Sequence, residues 1–188
     1  MRVVAGEFKG RRLLGPKGSD ARPTSDKVRE AIFSMLGPLD DERVLDLFAG
    51  TGALGIEALS RGASSATFVE SDSKAIAIVR RNLDEIVHDS DRATVVRGDA
   101  LRSLSRLQDA SVDLVFIDPP YAEAAGLGPK LARALPRVVS KRGVVVTESD
   151  RRSPIALDAN AQDVGQNPLV QRVERKYGDT LIRIYGSQ

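Results

Sequence analysis

From Val44 to Ser149 short apolar runs alternate with amphipathic ones, and this alternation constrains the fold more than any other feature of the chain. VLDLF (44–48), ATFVE (66–70), ATVVRGDA (93–100), VDLVFID (112–118) and GVVVTES (143–149) read as strands. Between them a helix follows the glycines after Phe48 to about Arg61. Others are KAIAIVRRNLDEI (74–86), a short helix leaving residue 100 and one over about 126–137. Strands separated by helices pair through crossovers, which predicts a parallel sheet with helices on both faces. LVQRVERKYG and TLIRIYG (169–186) have no helix between them, and predict an antiparallel hairpin around Gly178-Asp179 at a sheet edge. The expectation is therefore an α/β fold with a seven-stranded, mostly parallel sheet. Its ligands should gather at the carboxyl ends of the strands.

Ahead of the sheet, RVVAGEFKGRRLL (2–14) consists of short β-like runs broken by Gly6 and Gly10, and predicts a small hairpin. GPKGSDARPT (15–24) is punctuation, after which Ser25 or Asp26 can cap a helix to about Leu36. Val28, Ile32, Met35 and Leu36 share one face of that helix. Residues 1–23 are thus expected to form a basic extension, and 24–188 the main domain. Residues 1–24 hold six cations (Arg2, Lys9, Arg11, Arg12, Lys17, Arg22) against Glu7 and Asp20, a local +4 in a chain of net +2. A basic end on a slightly acidic body suits a phosphate backbone. A solvated tail would have the same composition.

The chain has 188 residues, enough to bury a core without disulfides or metals. It has no cysteine, which excludes a thiolate nucleophile, a cysteine-ligated zinc and an iron–sulfur cluster. The lone histidine, His88, sits in the polar stretch VHDSD and reads as a surface residue. No multi-histidine metal site or serine–histidine triad is expected. No run of eighteen apolar residues predicts a membrane span. MRVVAGEFKGRR has no apolar core of the kind a secretory leader needs, so a cytoplasmic location is expected.

Gly50-Thr51-Gly52-Ala53-Leu54-Gly55 fits the G-x-G-x-x-G phosphate-turn pattern, and Glu70 ends the next strand, where an acid can accept hydrogen bonds from ribose hydroxyls. These features alone do not separate NAD from S-adenosylmethionine. Asp46, two residues inside the first apolar strand, does. A buried carboxylate is costly unless a cation or a donor meets it. It would repel a pyrophosphate, whereas S-adenosylmethionine carries a sulfonium, an ammonium and no phosphate. The alternative for Asp46 is a carboxylate satisfied by backbone donors.

Asp118-Pro119-Pro120-Tyr121 leaves the fourth strand, which is expected to lie beside the first. Two prolines stiffen the bend and leave its carbonyls free to accept. The tetrapeptide resembles the [DN]-P-P-[YF] motif of methyltransferases that act on planar nitrogens, and the resemblance implies as target an exocyclic amine, a poor nucleophile whose N–H groups gain positive charge as it attacks a methyl. The Asp118 carboxylate and the Pro119 carbonyl can accept from those N–H groups as the charge develops. Tyr121 can stack on the base and hold the reacting atoms in line.

VLDLFAGTGALGIEAL resembles the first motif of the Rossmann-like class I S-adenosylmethionine-dependent methyltransferases. The resemblance implies that Asp46 lies near the methionine end of the cofactor, that Glu70 holds the ribose and that Asp99 reaches the adenine amine. With Phe48, Gly50, Gly52 and Ala100 these are the expected cofactor contacts. Asp99 could equally cap the short helix that follows it. RVVAGEFKGRRL together with RPTSDKVREAIF resembles the bacterial RsmD-type enzymes, which methylate N2 of one guanine of 16S ribosomal RNA. The match covers nearly the whole chain. It implies a small-subunit particle, assembled or a late precursor, as partner, with no metal, and a monomer is expected.

Arg11 and Arg12 are then expected to meet RNA phosphates. Arg22, Thr24 and Pro120 should border the target pocket, into which the base must be extruded. Arg29 either joins them or pairs locally with Glu30 or Asp26. Arg172, Arg175 and Lys176 are either a solvated strand face or a further RNA contact. The rival readings are a DNA amino-methyltransferase acting on adenine N6 or cytosine N4, a noncatalytic RNA-binding module and an NAD oxidoreductase.

Overall fold

The computed structural model describes residues 1–15, 25–120, 124, 126–157 and 168–187, apart from the side chain of Ser90. Its elements in chain order are α1 (Asp26–Leu36), β1 (Arg43–Asp46), α2 (Ala53–Ser60), β2 (Ser65–Glu70), α3 (Ser73–Ile86) and, after a 3₁₀ turn at Ser90–Arg92, β3 (Ala93–Arg97). There follow α4 (Ala100–Arg106), β4 (Val112–Ile117), α5 (Leu127–Val138), β5 (Val139–Asp150), β6 (Leu169–Tyr177) and β7 (Thr180–Ser187). The strands form one seven-stranded sheet in the order β3-β2-β1-β4-β5-β7-β6. Pairing is parallel for β1–β2, β2–β3 and β4–β5, and antiparallel for β5–β7 and β6–β7. The alternation and the closing hairpin are thus as the sequence predicts. Two compact units divide the chain, Met1–Asp99 and Ala100–Gln188.

In the first unit the core is built on Leu45, Phe68, Val69, Ile56, Leu59 and Val79, all essentially inaccessible. β1 ends at Asp46, so Leu47 and Phe48 belong to the turn rather than to the strand, and Asp46 is the strand's last residue. All eight residues of α2 are buried. A helix with no exposed face must pack closely, and Gly55 makes that possible: a Cβ there would stand 2.3 Å from Phe68 Cε1. The third glycine of the loop pattern therefore serves helix–strand packing.

α1 starts at Ser25, whose hydroxyl accepts from Val28 N at 3.2 Å, and stops at Gly37. Its buried face is Val28, Arg29, Ile32 and Phe33, so the inward stripe includes a cation in place of Met35 and Leu36. Glu57, buried on α2, explains it. Its carboxylate lies 3.4 Å from Arg29 Nε and accepts from Arg61 Nε at 2.7 Å. It also accepts from the backbone N–H groups of Val4 (2.7 Å) and Ala5 (3.0 Å). Arg29 also pairs with Asp26 at 2.8 Å and donates to the Arg2 carbonyl. Of the two local partners considered for Arg29, Asp26 is the one it uses.

The N-terminal segment is correspondingly less of a hairpin than predicted. Its antiparallel pairing reduces to the single Arg2–Arg12 bridge, supported by Val3 N to Arg11 O (3.0 Å) and Leu13 N to Met1 O (3.2 Å). Side chains replace the missing ladder. Val3, Phe8 and Leu13 are buried, Ser60 accepts from Phe8 N and donates to Ala5 O, and Glu57 takes the Val4 and Ala5 amides.

In the second unit β5 begins at Val139, directly after α5, four residues earlier than its apolar run. The β4–β5 register shifts between Val112 and Leu114 to absorb the extra residues. Arg172 on edge strand β6 lies over Gly186 and donates to Ser187 O at 2.7 Å; Arg175 and Lys176 are exposed. Charges on an edge strand discourage pairing with other chains.

Removing one partner of a buried ion network leaves the others desolvated and unpaired. Glu57→Ala is expected to lower the unfolding free energy by about 3–5 kcal/mol, measured by urea denaturation; a loss below about 1 kcal/mol would contradict the role assigned to the network.

Candidate functional site

Three neighbouring parallel strands of the first unit end in acids or lead directly into one: β1 in Asp46, β2 in Glu70, and β3 through Arg97-Gly98 into Asp99. The strand-end backbone is continuous in hydrogen bonding. Ala49 N donates to Val69 O at 3.0 Å and Gly98 N to Glu70 O at 2.9 Å. The chain between Asp46 and α2 turns through Gly50 (φ +55°) and Gly52 (φ +79°), left-handed backbone that L side chains rarely adopt. Gly52 is the N-cap of α2 and accepts from Ile56 N at 2.9 Å.

Asp46 is 1 % exposed, and its Oδ2 accepts from Gly55 N at 3.0 Å. A carboxylate thus occupies the first turn of α2, the positive end of the helix. The alternative weighed for Asp46, satisfaction by a backbone donor, is therefore real. It also sharpens the choice of ligand, because the helix end where a dinucleotide pyrophosphate would sit already holds an anion.

Glu70 is half-buried and organises the loop from the other side. Its Oε2 accepts from Gly50 N at 2.9 Å, while Oε1 accepts from Ser71 N (2.7 Å), Ser71 Oγ (3.3 Å) and Asp72 N (2.9 Å). A carboxylate has about four acceptor positions, so Oε2 retains capacity for a hydroxyl donor beside the glycine turn. Phe48 is half-buried, Asp99 is exposed and Ala100 is buried at the start of α4.

In the second unit Asp118 and Pro119 follow directly on β4, whose last four residues are buried. Asp118 is half-buried, Pro119 buried and Pro120 exposed, so the acid stands where an apolar strand reaches its accessible end. Ile117 pairs with Thr147 of β5, which continues past the end of β4 to Asp150. Tyr121, Arg22 and Thr24 lie outside the described residues.

Arg11 and Arg12 are both exposed but differ in their engagements. Arg11 Nη1 donates to the carbonyls of Glu85 (3.2 Å) and Ile86 (3.0 Å) at the end of α3 and lies 3.0 Å from Nε2 of the exposed His88. A cation at a helix C-terminus is stabilising, so Arg11 has a part in the fold that its sequence did not announce. Asn82 is a second such residue. It sits on the apolar face of α3 among Ile76, Val79, Leu83 and Ile86, and its amide donates to Thr51 O in the glycine loop at 2.8 Å. The only signal in the sequence is a polar residue at an apolar position of the helical period. Among the described residues no three His, Asp or Glu side chains group as a metal site, and no helix is long and apolar enough to cross a membrane.

Comparison with known proteins agrees with this architecture. The family model described as "Conserved hypothetical protein 95" matches residues 1–186. YlbH of Bacillus subtilis is 40% identical over 193 residues, 98% of each chain. The Buchnera aphidicola protein named "Ribosomal RNA small subunit methyltransferase D" is 30% identical over 84% of this chain and 82% of its own. Among solved structures, yhhF of Escherichia coli superposes with a TM-score of 0.79 at 30% identity, covering 100% of this chain and 98% of the other. The chain belongs to the conserved hypothetical protein 95 family, the RsmD-type methyltransferase family that its sequence resembles.

Proposed function

We propose that this protein transfers a methyl group from S-adenosylmethionine to the N2 amine of one guanine in 16S ribosomal RNA, acting on the small ribosomal subunit or a late precursor in the cytoplasm. The observation that carries the reading is Asp46 at the N-terminus of α2. A glycine turn whose helix end already holds a carboxylate favours a cationic cofactor over a dinucleotide, and an NAD oxidoreductase leaves Asp118 without a task. The relatives' names support ribosomal RNA as the substrate class.

The residues fit the cofactor. Glu70, with acceptor capacity left on Oε2, would take a ribose hydroxyl, Gly50 and Gly52 let the backbone approach closely, and Asp99 and Ala100 would meet the adenine. Phe48 and Asp46 would lie toward the methionine end. The bound cofactor supplies a sulfonium-borne methyl and leaves as neutral S-adenosylhomocysteine.

The chain's own work is at the amine. Asp118 and the Pro119 carbonyl accept from the N–H groups of the target nitrogen, which become more acidic as its lone pair leaves conjugation. Tyr121 stacks on the extruded base, and Pro120, Arg22 and Thr24 border it. Because the leaving group is already cationic, no strong base is needed. The residue 1–23 arm supplies phosphate contacts that position the domain without reading sequence.

Tritiated methyl from S-adenosylmethionine is expected to label small-subunit particles from cells lacking this gene, in 16S RNA at guanine N2, and to leave DNA unlabelled. DNA labelling alone would establish the amino-methyltransferase of DNA instead. Asp118→Ala is expected to slow transfer by about 100-fold or more while S-adenosylhomocysteine affinity, measured by calorimetry, stays the same. Full activity in that variant would remove Asp118 from the chemistry. Arg12→Ala isolates the RNA contact better than an Arg11 variant, since Arg11 also caps α3. It should weaken particle binding and reduce the slope of log affinity against log salt by about one; an unchanged slope would make Arg12 a solvated side chain.

A further inference from the structure

The N-terminal arm and the glycine loop are joined by one side chain. Asn82 on α3 is completely buried. Its Oδ1 accepts from Leu14 N at 2.8 Å, and its Nδ2 donates to Leu14 O at 3.1 Å and to Thr51 O at 2.8 Å. The amide thus grips Leu14 through both backbone groups, as a neighbouring strand would, and uses its other N–H on the loop. A flipped amide would face oxygen against Thr51 O and nitrogen against Leu14 N, so only this orientation is consistent.

Both segments it holds belong to the proposed function. Thr51 stands between the two left-handed glycines, where the turn's conformation decides whether a cofactor fits. Leu14 closes the stretch that carries Arg11 and Arg12, and Arg11 is docked on the same helix through Glu85 O and Ile86 O. The first stretch of the arm is held differently, by Glu57 and Ser60 of α2.

We propose that Asn82 is a positioning residue that couples the arm to the cofactor loop, so that cofactor and RNA each raise the protein's affinity for the other. The inference rests on the reading of residues 46–55 as the cofactor loop and of the arm as the RNA contact. A buried amide cannot leave its bonds half made without the cost of an unsatisfied polar group, so its bonds to Leu14 and Thr51 form and break together. A ligand that fixes the Thr51 carbonyl fixes the amide plane, and with it Leu14. By linkage, RNA that fixes the arm restores the loop to the same degree.

Hydrogen exchange of the unmodified protein with and without saturating S-adenosylhomocysteine tests this. The ligand is expected to slow exchange at Leu14 by about fivefold or more relative to Val4 and Ala5, the amides held by Glu57. In Asn82→Ala the extra slowing at Leu14 is expected to vanish while S-adenosylhomocysteine still binds. Binding in the unmodified protein with Leu14, Val4 and Ala5 slowed alike is whole-protein stabilisation, and overturns the coupling while leaving the cofactor reading intact. Calorimetry showing no S-adenosylhomocysteine binding overturns both.

Discussion

The placement of one carboxylate organises the first unit. Asp46 ends β1 inside the core and is held there by Gly55 N at the start of α2. A charge in that position needs a donor, and the helix N-terminus supplies donors and a favourable dipole together. Several other features follow from that contact. α2 must begin within a few residues of the strand end, which demands the left-handed turn at Gly50 and Gly52. Gly55 must come within reach of Asp46 while α2 lies flat on Phe68, and a Cβ at Gly55 would prevent that. The three glycines of the pattern therefore do two kinds of work, two of them turning the chain and the third letting the helix approach the sheet.

The same short helix is used twice. Its N-terminal end meets Asp46, and its other end offers Glu57 and Ser60 to the N-terminal segment. A helix buried on every side exposes no polar face to water, so each polar residue on it must be satisfied by protein. Glu57 does so with two backbone amides, a hydrogen bond from Arg61 and the charge of Arg29 at 3.4 Å, which together offset the cost of burying its carboxylate. Arginines suit it, since a delocalised guanidinium is more weakly hydrated than an ammonium and presents donors in a fixed fork. Arg61 also lies over the Phe33 ring at 4.8 Å, which places its charge against an aromatic face.

What could be read from the sequence divides along physical lines. Elements with a clear period were legible: the strands, the helices over 74–86 and 127–138, the Ser25 cap and the hairpin around Gly178-Asp179. So were the turn at Gly50 and Gly52 and the burial of Asp46, because glycines and an acid in an apolar run are local signals. Of the contacts of Arg29, the local pair with Asp26 was legible and the one with Glu57 was not, because Glu57 is 28 residues away. Asn82 and Arg11 escaped for the same reason, as their partners at 51 and 85–86 are remote in sequence. The hairpin over 2–14 was overdrawn: alternation predicts strands, but here side chains of α2 and α3 take the backbone groups that a ladder would have used.

The two ends of the proposed reaction place different demands on the fold. Holding a cofactor needs a rigid turn and anchored acids, and residues 46–70 show both, with Glu70 held by the backbone N–H groups of Gly50, Ser71 and Asp72. Accepting charge from an amine needs an acid that remains reachable. Asp118 is only half-buried, directly after a strand whose last four residues are fully enclosed and before a proline that is buried itself. The proline fixes the backbone on one side of the acid and the strand fixes it on the other. In the proposed reaction a carboxylate positioned by neighbours of that stiffness would need little reorganisation as charge develops on the amine, and such preorganisation is worth most where the site is already set before the substrate arrives.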